Sequence, residues 1–253
     1  MPDLTTTHSP STGTWRAELY KLRAHRTPAA VAGILLLGVL APSAVLLWYT
    51  PDSAMAYTET WSTVFAILGP LTAIVYGGWL VGTEYKQGTM KRMLTTEPRR
   101  LRALGAKATA GVSTLAFGLV GALGLGWAAA WVVGDLNGVS VPFETRELLA
   151  TVVTSVLFAS VAFGLATLTR NGAFGMVATT GLLLVLDPLI SLIPTVGDYT
   201  LGSVIGVVDE AISGETSPFD TASIATTTAV AALAAWMGGL GLTTARLFAR
   251  RDV

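Results

Sequence analysis

Apolar residues in this chain do not alternate with polar ones; they run together in long blocks. Six blocks carry the roughly 20 apolar residues that a helix rising ~1.5 Å per residue needs to cross a ~30 Å hydrocarbon layer. They cover residues 29–48, 61–82, 108–133, 148–168, 173–193 and 224–245. Lipid offers no partner to an unpaired peptide group, so each block is predicted to be a transmembrane helix. The fifth is interrupted near its end by Asp187 and Pro188. An acid inside a span is costly, but this one falls close to the outer interface. The pair is therefore expected to end the helix rather than to form a proton or substrate site.

The polar segments between the blocks have patterns of their own. Residues 1–13 are rich in Thr, Ser and Pro and read as a loose cytoplasmic tail without the basic-then-apolar order of a secretory leader. Residues 14–28, "TWRAELYKLRAHRTP", place Trp15, Leu19 and Leu22 along one stripe, with basic residues around the rest. That pattern predicts a helix lying in the membrane interface, with Pro28 at the turn into the first span. Residues 29–253 then form a single six-span unit. Between the last two spans, "YTLGSVIGVVDEAISG" is too short to cross and predicts a re-entrant or interfacial helix packed between spans five and six.

The connection 84–107 is the most polar of all, with seven of the sixteen Lys and Arg residues. Gly88 can adopt the backbone angles that end a helix, Thr89 is suited to cap a new one, and Pro98 forbids that new helix from running on. The result is a helix of about two turns over residues 89–97. Its Met90, Met93 and Leu94 share one face at helical spacing, while Lys91 and Arg92 point elsewhere. Pro98 is placed to open a further helical segment leading into the third span. Charge alone explains this connection as an anchor for anionic lipid heads. The apolar face adds a second reading, a knob received by a groove in a soluble protein.

Composition agrees with the membrane reading, because 52% of residues are hydrophobic and only 13% charged, against about 25% charged in soluble domains. Placing both termini and the 84–107 connection in the cytoplasm puts fifteen of the sixteen basic residues on that side, as the retention of Lys and Arg there requires. The outer connections hold acids instead. A net charge of zero argues against a nucleic-acid partner. Cys is absent, and the two histidines, His8 and His25, precede the first span, so thiolate and imidazole chemistry within the membrane is excluded. No phosphate-loop motif GxxxxGK[ST] and no HExxH is present, so ATP hydrolysis and zinc-peptidase chemistry are not expected of this chain. A lipid-modifying enzyme would need polar or metal-binding residues clustered at one depth. A proton-coupled transporter would have Asp187 alone for its coupling group.

The order Glu84, Gly88-Thr89, Leu94, Pro98, Arg99-Arg100 and Lys107, written E...GT....L...P.R......K after a second span, resembles the cytoplasmic signature of type-2 ATP-binding-cassette (ABC) export permeases. The six-span layout, the basic amphipathic segment before the first span and the long outer connection before the last extend the resemblance over the whole chain. One departure is Arg99, where family members commonly carry Ser. The resemblance implies an all-α integral membrane subunit of the cell membrane, without catalytic residues of its own. It also implies that residues 89–97 are a coupling helix docked on a separate ATPase, two copies of which hold ATP and Mg. The elbow helix, with Glu18 and Arg23, would help frame that docking site. Two permeases, identical or different, would enclose a pathway lined by spans one, two and five, with Thr63, Thr72 and Tyr76 as candidates on span two.

Overall fold

A computed structural model describes residues 20, 26–49, 51, 53–90, 99–214 and 223–250. Six helices are long and apolar enough to cross a membrane. They are α1 (Arg26–Trp48), α2 (Ala54–Gln87), α3 (Arg100–Leu136), α4 (Thr145–Thr169), α5 (Gly172–Ser191) and, after a shorter helix, α7 (Thr226–Arg250). The shorter helix, α6 (Leu201–Ser213), lies in the connection between α5 and α7. No strand occurs among the described residues.

Two spans are much longer than their apolar blocks. α2 has 34 residues and α3 has 37, so at ~1.5 Å per residue both exceed 50 Å and overrun a ~30 Å hydrocarbon core. α3 starts at Arg100, which means that the basic segment after Pro98 is the first turn of the span itself. Pro28 sits in the first turn of α1, where its missing N–H has no helical partner to lose.

α2 is the most buried span and forms the centre of the bundle. Tyr57, Trp61, Phe65 and Leu80 of this helix meet Leu35 and Leu46 of α1, Leu115 and Leu119 of α3, and Ala159 of α4. Its contacts with α4 and α5 are made backbone to backbone. A Cβ at Gly77 would lie 2.2 Å from the Ala159 carbonyl oxygen, and one at Gly82 would lie 2.5 Å from Cα of Gly172. Small residues at such crossings let helices gain dispersion contacts that lipid does not supply.

α5 corrects one expectation. Asp187 and Pro188 do not end the helix, which continues to Ser191. Pro188 has no N–H to give the carbonyl four residues back, and its ring would collide with that carbonyl in a regular α-helix. The turn before it widens into a π-helix, Leu182–Leu186, in which the Asp187 N–H reaches back five residues to the Leu182 carbonyl. A one-turn π bulge thus absorbs the proline.

Candidate functional site

The polar connection leaves α2 at Gln87. Gly88 adopts a left-handed conformation at φ 66°, and its N–H bonds back to the Tyr85 and Glu84 carbonyls. That turn, which costs glycine little, folds Thr89 back over the end of the helix. The Thr89 hydroxyl donates to Glu84 Oε2. On the other side of the same carboxylate, Lys107 of α3 places Nζ 3.1 Å from Glu84 Oε1. Both side chains of this ion pair are buried, at 6% exposure for Lys107 and 11% for Glu84. The last turns of α2 and the first turns of α3 are therefore tied by one carboxylate, bridging the two ends of the connection.

Met90 corrects a second expectation. Instead of lying on a face offered to a partner, it is 1% exposed and packs with Val81, Ala103, Leu104 and Phe248. Phe248, near the end of α7, covers the face that helical spacing assigned to a partner. Lys91, Met93, Leu94 and Pro98 lie outside the described residues, as do Trp15, Glu18, Leu19, Leu22 and Arg23 of the elbow segment. Arg99 occupies the exposed N-cap position of α3 without a side-chain capping bond, and the half-buried Arg100 reaches across to the Ala249 carbonyl of α7 at 3.4 Å.

On α2, the three pathway candidates separate. Thr72 is buried and donates its hydroxyl to the Leu68 and Gly69 carbonyls of its own helix. Tyr76 is buried in the chain's own core. Both are buried within the single chain, and Tyr76 lines a cleft between α2, α3, α4 and α7. Thr63 is exposed, and it starts a stripe at four-residue spacing with Ile67, Leu71 and Val75, all exposed. The four-residue spacing of this stripe is legible in the sequence, although only Thr63 in it is polar.

Asp187 holds a position of a different kind from the one predicted. The side chain is buried, and Oδ1 accepts the Gly202 N–H at 2.8 Å while Oδ2 accepts the Thr200 hydroxyl at 2.8 Å. Thr200 is the N-cap of α6. The carboxylate of α5 thus completes the N-terminus of α6, where unpaired amides and the positive end of the helix dipole favour an anion. A Cβ on Gly202 would come within 2.4 Å of the same carboxylate, so glycine is required for the approach. Farther along α6, Asp209 accepts the Thr154 hydroxyl of α4 at 2.7 Å. Leu201–Val207 are all buried, packed against α4 and α7.

Among the described residues no group of three or more His, Cys, Asp or Glu side chains is arranged to hold a metal ion. A comparison with curated proteins returned no match. A family model described as ABC-2 family transporter protein matches residues 15–186 of the 253. That match covers the elbow segment, the first four spans with the Glu84–Lys107 connection, and most of α5. With its six apolar helices, the chain belongs to the ABC-2 transporter family and is a multi-pass ABC permease.

Proposed function

We propose that this permease is the membrane half of an ATP-driven exporter, paired as a dimer and docked through residues 89–97 on two copies of a separate ATPase that binds ATP and Mg. The observation that carries the reading is the buried Glu84–Lys107 pair with the Thr89 hydroxyl on the same carboxylate. A push on the connection is then delivered to α2 and α3 together, because both helices end on that carboxylate. With Met90 turned inward as a root, Met93 and Leu94 are left as the apolar contacts for the ATPase groove. Lys91, Arg92, Arg99 and Arg100 supply charge around it.

Both termini and the connection are assigned to the cytoplasm on the distribution of basic residues. The elbow segment lies in the interface beside the docking site, and α6 is the re-entrant element at the outer side. The pathway runs between two copies along the stripe Thr63, Ile67, Leu71 and Val75, and closure of the ATPases shifts its population between inward- and outward-facing states. Few charges lie in the spans, which favours amphipathic or apolar cargo over a small ion.

The natural absence of Cys makes topology directly testable. In intact cells, Leu94→Cys should resist a membrane-impermeant maleimide and react only after permeabilisation. Tagged chain purified from native membranes should bring down a phosphate-loop ATPase, and Met93→Glu should reduce that recovery about tenfold or more, since a buried carboxylate in an apolar groove costs well over 1.4 kcal/mol. Labelling of Leu94→Cys from outside, or ATPase recovery unchanged by Met93→Glu, would overturn the assignment.

A further inference from the structure

A cleft of about 350 Å³ opens between α2, α3, α4 and α7, at the end of the bundle that carries the basic connection. Its walls are mostly apolar, with Leu104 and Val112 from α3, Phe163 from α4, and Met237 and Leu240 from α7, and the hydroxyl residues Tyr76, Ser160 and Thr244 also line it. The mouth lies between α3 and α7, where the lining residues Leu101, Gly105 and Gly241 are exposed. Most of the wall is hydrocarbon, and in a bilayer the side opening between α3 and α7 faces acyl chains.

The head of the cleft is basic. Beyond the lining residues Leu101 and Ala245, Arg100 reaches from α3 to the Ala249 carbonyl of α7, and Arg99, Arg102, Arg246 and Arg250 belong to the same ends of these two helices. Among the described residues, Glu84 is the acid at that end, and its carboxylate is held by Lys107 and Thr89. Positive charge above an apolar slot of this size matches a molecule that is anionic at one end and aliphatic at the other. Basic pockets between spans on the cytoplasmic side have this character.

We propose that the cleft is a binding site for one anionic phospholipid, with an acyl chain between α3 and α7 and its phosphate on Arg100 and the neighbouring arginines. The site is separate from the pathway stripe on α2, though its head shares Arg99 and Arg100 with the proposed docking surface, and lipid retention is read on the permease alone. Its occupant fills the gap beside α7, the least buried span.

The test is native mass spectrometry of the purified full-length chain titrated with dioleoyl phosphatidylglycerol or dioleoyl phosphatidylcholine. Phosphatidylglycerol should be retained more tightly, and Arg100→Gln should weaken it about fivefold, the effect of one arginine at a membrane surface. Gly241→Leu and Gly105→Leu place side chains in the mouth, and a Cβ at either position meets nothing within 4 Å, so both variants fit the fold. Each should abolish retention of phosphatidylglycerol, whereas Gly121→Leu, on the opposite face of α3 and equally free of neighbours, should leave it unchanged. Equal retention of the two lipids, or full retention of phosphatidylglycerol by both mouth-filling variants, would overturn the proposal.

Discussion

Replacing Lys107 with Met keeps the length of the side chain and removes its charge. At 3.1 Å the attraction between Lys107 and Glu84 is about 5 kcal/mol at an effective dielectric of ~20. Burying each ion costs several kcal/mol, so the intact pair contributes little net stability. Removing one partner is a different matter, because the Glu84 carboxylate then stays desolvated without its cation. We expect Lys107→Met to destabilise the chain by about 3–5 kcal/mol. Glu84→Met should cost a similar amount by stranding the ammonium group. The double variant Glu84→Met/Lys107→Met removes both charges and should recover most of the loss, since an apolar pair of similar volume replaces the ions. Thr89 then retains the backbone carbonyl of position 84, 3.5 Å from its hydroxyl. The assay is the temperature at which monodisperse protein disappears from size-exclusion profiles after heating in detergent. Each single variant should fall by roughly 6 °C or more, with the double variant within about 3 °C of the parent. Additive losses, with the double variant worse than either single, would show that the two charges do not act as a pair and would refute the proposed coupling of α2 to α3.

Three further outcomes are expected. Asp187→Leu removes the acceptor for the Gly202 N–H and the Thr200 hydroxyl and should cost about 2–4 kcal/mol in the same heating assay, whereas Asp187→Asn keeps an acceptor for the amide and should cost about 1 kcal/mol or less. Transport that collapses in Asp187→Asn without loss of stability would instead mark a proton-carrying group. Gly77→Ala forces a methyl against the Ala159 carbonyl and should lower the yield of folded protein sharply, while Gly118→Ala, where a Cβ meets nothing within 4 Å, should be neutral. Thr154→Val should loosen α6 from α4 at a cost of about 1.5–3 kcal/mol, read as faster amide exchange in α6, because the Asp209 carboxylate loses a hydroxyl donor.

The spans were legible because lipid leaves the backbone no choice but helix, and length follows from hydrocarbon thickness. Gly88 was legible for a similar reason, since a helix that must stop beside a polar run needs a left-handed residue. What escaped were contacts across long stretches of sequence. Periodicity placed Met90 on an apolar face but could not name what covers that face, which is Phe248 from the last helix. Thr72 and Tyr76 stand out in the sequence by their polarity, which does not reveal that the chain's own packing buries them. Pro188 signals a helix stop in the sequence, but a single widened turn upstream accommodates it. Lys107 stood in the motif without a role until the fold brought it to Glu84.

The seams at Gly77 and Gly82 restrict how this bundle can move. A helix whose backbone rests directly on two neighbours cannot swivel about its long axis without driving side chains into their carbonyls, so α2, α4 and α5 behave as one keystone. A push on α2 then carries α4 and α5 with it as one body, and the outlying α1 and α7 tilt or slide against that body.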